Sequence, residues 1–533
     1  MSETPKDIIF EEAARKELLN GLKKLSTVTA CTLGPKGRHV GLEKSWGAPT
    51  ITSDGNTIVK DIELENPFEN MGVLLGKEVA QKIKDKCGDG STRGILLLNA
   101  MVEEGIKLIA AGASPIGVKR GIEKCLDKML EEISSQATPV KDDKEIEQLA
   151  AASASGDQEV GHFIAEAFKK VGKTGVVNIE ESKTVETSIK MVEGMQFDRG
   201  YISGYFCTNL EKMLVEMHNP YILISEKKIQ NIHELLPILQ QMATTGKELL
   251  IIADDIEGDA LSTLVVNKLR GTLKVAAVKA PGYGENRKAL LQDIAILTGG
   301  TVISEDTGVS LKEIPLTSLG SCGKLIVTKE ETTIIEGKGA ESDIKARVKQ
   351  IEAEIPNATS NYDKEKLEKR KASLAGGIAQ IQVGASTESE LKAKKQRYED
   401  SLSSIRAALE EGVVVGGCVA FLKAIPAIDK LKLEGDEKLG GEILKKACQA
   451  PLRQLVHNAG FDGSVIVNEV LTKGGNFGFN VETDQVEDLA KAGILDAAKV
   501  IKNSLSHACG MAGLILISEA LITNSPEDES VAV

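Results

Sequence analysis

Hydrophobic periodicity switches twice along this chain, and that switching limits what it can fold into. Apolar residues recur at helical spacing through roughly the first 135 positions and again from about residue 386 to the end. Between them, from Gly194 onward, short β-rich runs alternate with helical segments. Two ends that share a pattern the middle lacks are expected to fold together around an inserted domain. The crossings fall where the composition changes, at Thr138-Pro139 and at the glycines of Gly376-Gly377 and Gly412-Val413-Val414-Val415-Gly416-Gly417. A length of 533 residues also exceeds what one core supports, so two to four domains are expected.

Residues 8–34 read as one helix with Phe10, Ala13, Leu18, Leu22 and Leu25 on a broad face, stopped at Thr32-Leu33-Gly34-Pro35-Lys36-Gly37. A hairpin follows, His39–Leu42 and Pro49–Thr52, with a turn at Ser53-Asp54-Gly55-Asn56. Helical patterns fill 65–86, 91–112, 114–135, 143–155 and 158–170, before a strand at 174–179. In the middle, strands at 221–225, 249–253 and 275–278 are each followed by a helix, which predicts a parallel sheet covered by helices. The highly charged stretch 342–374 predicts a solvated helical pair, followed by a strand at 378–383 and a helix over 386–411. The last residues, 525–533, are polar and expected to be disordered.

Charge and cysteine usage exclude several functions. Net charge is −13, which opposes the basic face that nucleic-acid binding needs. Aromatics are 3%, so cores must be built from Leu, Ile, Val and Ala. The eight cysteines include no CxxC pair and read as buried free thiols in a reducing compartment. His233-Glu234 lacks the second His of a zincin motif, so no structural zinc is expected. The polar start Met1–Asp7 resembles neither a signal nor a transit peptide, and no apolar run is read as reaching membrane length. A cytoplasmic location is expected.

The stretch Gly88-Asp89-Gly90-Ser91-Thr92-Arg93 carries the clearest chemistry. Two glycines flank a carboxylate, two hydroxyls follow, and an apolar helix begins behind them. Such a turn lets backbone N–H groups approach an anion at a helix N-terminus, and the carboxylate suits a metal ion held on phosphates. A Gly-Asp-Gly turn capped by Ser91 or Thr92 has the same sequence.

Further stretches extend the pattern: Thr32-Leu33-Gly34-Pro35-Lys36-Gly37, Asp54-Gly55, Arg199-Gly200-Tyr201 and Lys279-Ala280-Pro281-Gly282-Tyr283-Gly284. Arg397-Tyr398-Glu399-Asp400, Glu410 to Gly417 and Gly493-Ile494-Leu495-Asp496 complete it. Together, and in this order from about residue 5 to 522, they resemble the group I chaperonins, the GroEL type. The resemblance implies an α+β multidomain fold. Both chain ends (1–135 and 411–533) would form a helical equatorial ATP-binding domain, 136–192 and 379–410 a small hinge domain, and 193–378 an inserted α/β apical client-binding domain. It also implies two stacked seven-membered rings, a small co-chaperonin lid and unfolded client polypeptides, with no nucleic-acid or membrane partner.

By the same resemblance, ATP with Mg²⁺ would meet Thr32, Leu33, Gly34, Pro35, Asp89, Gly90, Ser91, Thr92, Gly417, Asn480 and Asp496. Asp89 would hold the metal, and Asp54 and Asp400 would position the attacking water and the ion. Asp400 falls in the hinge segment, so closure would complete the site after nucleotide binds. Clients would meet Tyr201, Tyr205, Phe206, Leu236, Leu239, Leu261, Val265 and Val266. Amphipathic-helix packing against a core gives the same spacing.

The chain departs from the family where Ser53 replaces the usual Lys, Arg93 a Thr and Cys418 a Gly, and its C-terminus lacks Gly-Gly-Met repeats. These departures imply an alternative to an ATP-driven folding machine: a divergent paralogue acting as a holdase or assembly protein with weak or no hydrolysis. A metabolic enzyme lacks support, since no P-loop, Rossmann fingerprint or nucleophile–base pattern is present.

Overall fold

The computed structural model describes residues 5–43, 49–154, 156–173, 175–182, 184–210, 212–304, 311–358 and 360–524. The polar tail from Ser525 and the first four residues lie outside them. The chain divides into two compact units, Met1–Glu166 with Ala385–Val533, and Ala167–Gly384. The joining of the two chain ends is the arrangement the periodicity predicts.

In the first unit, helices Glu11–Ala30, Pro67–Cys87, Ser91–Ala110, Pro115–Gln136 and Ala498–Ile517 pack around one core. Leu18, Leu22, Leu97, Leu98, Ile122 and Leu505 are fully enclosed in it. The helix Ala498–Ile517 is long and apolar enough to cross a membrane, contrary to the reading that no such run exists. Most of it is buried against the helices Ser91–Ala110 and Pro115–Gln136, as befits the central helix of a core.

The first predicted helix is corrected at both ends. Lys6–Phe10 is a strand, antiparallel to Ala520–Asn524 with Ile8 opposite Ile522, and the helix runs from Glu11 to Ala30. The partner strand lies at the far end of the chain, so no local signal competes with the helical pattern. The hairpin is as predicted, Val40–Leu42 antiparallel to Thr50–Thr52. The turn expected at Asp54-Gly55 is instead a helix start: Asp54 caps Gly55–Asp61, its Oδ2 accepting from the Thr57 amide at 2.9 Å. Two of the sequence-marked crossings, Thr138-Pro139 and the run from Gly412, lie side by side, with Thr138 and Val413 exchanging both backbone hydrogen bonds.

Helices Glu11–Ala30 and Pro67–Cys87 touch backbone to backbone. A Cβ on Gly21 would fall on the carbonyl oxygen of Glu69, and one on Gly72 on that of Leu18. Alanine gains up to about 1 kcal/mol over glycine in a helix interior. Here the clash is with a carbonyl that cannot rotate away, and overpacking costs about 1–3 kcal/mol. Gly72→Ala is therefore expected to destabilise the first unit in urea titrations; a rise in its midpoint would mean the helices separate freely.

The second unit holds an eight-stranded sheet ordered Lys274–Lys279, Glu248–Ala253, Tyr221–Ser225, Gly320–Val327, Thr332–Gly337, Gly194–Phe197. Val302–Ile303 pairs with Tyr221–Ser225, and Val215–His218 with Gly320–Val327. The expected parallel sheet covers only part of it. The first three strands and Val302–Ile303 are parallel, and the remaining pairings are antiparallel. The reason lies in the connections: helices Leu236–Thr245, Gly258–Leu269 and Gly284–Thr298 supply the crossovers, whereas the short link from Val327 to Thr332 leaves room only for a hairpin. A three-stranded sheet sets Ile378–Val383 between Val176–Glu181, parallel, and Ser188–Val192, antiparallel.

Candidate functional site

The turn Gly88-Asp89-Gly90 is built as a cradle. Gly88 (φ 74°) and Gly90 (φ 94°) both lie in the left-handed region, and side chains there would strike Ser403 and Ser504 respectively. The helix Ser91–Ala110 starts immediately after, with no side chain capping its N-terminus. Its first amides are thus left for an anion. Thr92 is half-buried against Gly55, which brings the Asp54 segment beside this turn. Ser91 points elsewhere: its buried hydroxyl donates to the Ala80 carbonyl at 3.1 Å, so only its backbone faces the turn.

Arg93 lies across this site. It sits in the first turn of the helix, where the macrodipole disfavours a cation. Two carboxylates offset that: Nη2 lies 3.0 Å from Asp89 Oδ2, and Nη1 lies 2.8 Å from Asp496 Oδ2. The Arg93 side chain is only 10% exposed. Asp496 is placed by the strand Leu495–Ala497, paired with Val413–Val415. Both Asp89 oxygens are thus engaged, since Oδ1 accepts from the Gly90 amide at 2.6 Å. Ser153 and Ser404, hydroxyls 2.8 Å apart, line the same space, and Ser153 Oγ stands 3.5 Å from Asp89 Oδ2.

A second cation holds the other two carboxylates. Lys84, on the helix Pro67–Cys87, is ion-paired with Asp400 of the helix Glu388–Glu411 and lies 3.9 Å from Asp54 Oδ1. Gln396 donates to Asp400 at 2.8 Å. Burial pushes the Asp400 carboxyl up to about 7, with Lys84 opposing and Asp54 reinforcing the shift. The Lys84 ammonium is held above its ordinary range because Asp400 and Asp54 outweigh the cost of its burial. Asp54 thus has two roles, helix cap through Oδ2 and neighbour of Lys84 through Oδ1. The sequence reading names Asp54, Asp89, Asp400 and Asp496 but not Lys84, which supplies a cation beside Asp54 and Asp400.

The remaining positions frame the site. Gly34 (φ 82°) turns the chain after the first helix, and Asn458 fixes that loop by donating to the Ala30 and Leu33 carbonyls at 2.9 and 3.0 Å. Thr32 is buried and donates its hydroxyl to the Thr29 carbonyl, and Leu33 is partly buried in the core. Pro35 borders Gly156. Gly417 (φ 61°) precedes Cys418, whose φ of 63° puts a non-glycine residue in the left-handed region. Burial pushes the Cys418 thiol up to about 12 despite the neighbouring Arg93. Asn480 is engaged on the hairpin Phe477–Asp488, donating to Glu487 at 2.6 Å and accepting from the Glu482 amide at 2.9 Å.

In the second unit, the proposed client residues divide by exposure. Tyr205 and Val266 are exposed, at 65% and 43%, and Leu269 beside them is 60% exposed. Tyr201, Leu236, Leu261 and Val265 are half-buried, and Phe206 and Leu239 are in the core. The last two support the surface from beneath.

Tested against ATP and Mg²⁺, the donors fit: uncapped helix amides, a glycine cradle and four carboxylates within two linked ion-pair groups. The space between Asp89 and Asp496 is the exception. The cavity lined by Asp89, Arg93, Ser153, Ser404 and Asp496 measures about 10 Å³, room for one water at most.

The comparisons agree over nearly the whole chain. The model of the TCP-1/cpn60 chaperonin family matches residues 25–526. The protein named Chaperonin GroEL 3 of Protochlamydia amoebophila (strain UWE25) is 62% identical over 525 residues, 98% of this chain and 98% of that protein. The chain belongs to the TCP-1/cpn60 chaperonin family and is a group I, GroEL-type chaperonin, a chaperone that assists protein folding.

Proposed function

We propose that this chaperonin binds ATP with Mg²⁺ at the Gly88-Asp89-Gly90 cradle and uses its hydrolysis to drive client binding and release. The observation that carries this reading is the uncapped N-terminus of the helix Ser91–Ala110 behind two left-handed glycines, with Asp54, Asp89, Asp400 and Asp496 around it. ATP with Mg²⁺ supplies a phosphoanhydride whose cleavage makes the cycle directional.

The chain's own residues do the rest. The amides of Ser91 and Thr92 would meet phosphate oxygens, and Asp89 would hold the metal. The loop Thr32-Leu33-Gly34-Pro35 would close one side, while Gly417, Asn480 and Asp496 would meet the nucleoside end. Asp54 and Asp400 would hold the attacking water, and Asp400, pushed up to about 7 by burial, would be suited to accept its proton. The three-domain division, two stacked rings of seven, a co-chaperonin lid and a cytoplasmic location belong to the same proposal. Phosphate release by the purified protein with Mg²⁺, alongside refolding of a denatured test protein, decides it. Release no faster than a blank would remove the motor.

Client capture is assigned to the apolar surface of the helices Leu236–Thr245 and Gly258–Leu269, with Tyr205. Exposed apolar side chains hold unfolded chains by removing apolar area from water, without reading sequence. Val266→Glu places a charge in that surface and forfeits burial of one aliphatic side chain. Capture of a chemically denatured test protein is expected to weaken roughly tenfold, with far-UV circular dichroism unchanged. Undiminished capture would move the client surface elsewhere.

A further inference from the structure

We propose that Arg93 is a latch on the nucleotide site: in the resting protein its guanidinium bridges Asp89 and Asp496, and nucleotide with its metal enters only by displacing it. This inference rests on the nucleotide site proposed above and adds its regulation.

Three observations carry it. The guanidinium spans the two carboxylates that the nucleotide complex would use at its opposite ends, at 3.0 and 2.8 Å. Both oxygens of Asp89 are already engaged, Oδ1 by the Gly90 amide and Oδ2 by Arg93, so a divalent cation must compete with the guanidinium for this carboxylate. The space between the carboxylates, about 10 Å³, admits neither a ribose nor a phosphate while Arg93 stays.

An arginine latch has particular consequences. Its guanidinium does not deprotonate in proteins, so pH within the working range does not open it. It yields to a stronger charge: Mg²⁺ competes for Asp89, and once that carboxylate is taken the guanidinium loses one half of its bridge. Breaking the bridge therefore subtracts from the binding free energy, and binding is tied to arrival of the metal with the nucleotide.

The test is calorimetric titration of MgADP into the full-length wild-type protein, Arg93→Thr and Arg93→Thr/Asp89→Asn. The thermal transition of each nucleotide-free protein is recorded alongside. Arg93→Thr is expected to bind MgADP at least about tenfold tighter than wild type, and its nucleotide-free form to melt earlier because Asp496 has lost its cation. Should Arg93→Thr fail to fold, Arg93→Gln, which is shorter and keeps an amide donor without the charge, is expected to tighten binding in the same direction. Affinity unchanged or weaker in the single variant, but lost on adding Asp89→Asn, would overturn the latch and leave the site standing. Binding that is indifferent to Asp89→Asn, or absent from every protein, would overturn the site reading and the latch with it.

Discussion

Asp400→Ala is expected to slow ATP turnover by about 10²–10⁴-fold while leaving MgADP affinity within a few-fold of wild type. The carboxylate is not on the phosphate cradle. It projects from the helix Glu388–Glu411 and is only 17% exposed, so its loss removes no donor from the nucleotide. What disappears is a proton acceptor, pushed up to about 7 by burial, near the pH at which it must act. Lys84 then keeps Asp54, at 3.9 Å, as its nearest carboxylate among the described residues, and the variant also removes the ion pair between the helix Pro67–Cys87 and the helix Glu388–Glu411. Steady-state phosphate release and calorimetry separate the two effects. A rate within threefold of wild type would mean that Asp400 is a structural counter-ion to Lys84 and takes no part in hydrolysis.

The halves of this site were legible in the sequence to different degrees, and the reasons are physical. Gly88 and Gly90 flank Asp89 because positive φ and contact with Ser403 and Ser504 admit nothing larger, and a local constraint of that kind leaves a local pattern. Lys84 left none. It meets Asp400 across 316 residues, and a lysine three residues before a helix end reads as ordinary complement to the helix dipole. Arg93 was visible as a departure, but its two partners became clear only when the strand Leu495–Ala497 was placed beside the cradle. Asp54 shows the converse error. Asp-Gly after a β-rich run favours a hairpin turn, yet the same carboxylate caps a helix equally well.

At the level of fold, nesting was legible because it is written in a change of period. The strand Lys6–Phe10 was not, because its partner is Ala520–Asn524 and its residues continue the apolar spacing of the helix behind it. The mixed sheet was half legible for a related reason. Crossover helices announce parallel strands, whereas Val215–His218 and Gly194–Phe197 take antiparallel places dictated by tertiary pairing with Gly320–Val327 and Thr332–Gly337.

The charged stretch after residue 340 leads to the second large effect. It is solvated over much of its surface but is anchored by one buried ionic cluster. Asp293, fully buried on the helix Gly284–Thr298, accepts from Arg347 Nε at 2.7 Å and from Arg370 Nε and Nη2 at 2.8 and 3.0 Å. Arg347 belongs to the helix Glu341–Glu354 and Arg370 to Asn361–Ala375, so one carboxylate ties both helices to a third. Asp293→Ala would leave two guanidinium groups, 13% and 8% exposed, without their counter-charge. Stranding a buried charge costs about 3–5 kcal/mol, against a fraction of that for a surface pair. Amide exchange in the helices Glu341–Glu354 and Asn361–Ala375 is expected to accelerate by about 10²–10³-fold, since each factor of ten corresponds to about 1.4 kcal/mol. Replacing all three residues with aliphatic side chains is expected to restore most of the protection, because the desolvation cost leaves together with the charges. Exchange that is unchanged in Asp293→Ala would show that the two arginines find water as easily as they find Asp293, and that the helical pair is held by Ile344, Ile351 and Leu374 alone.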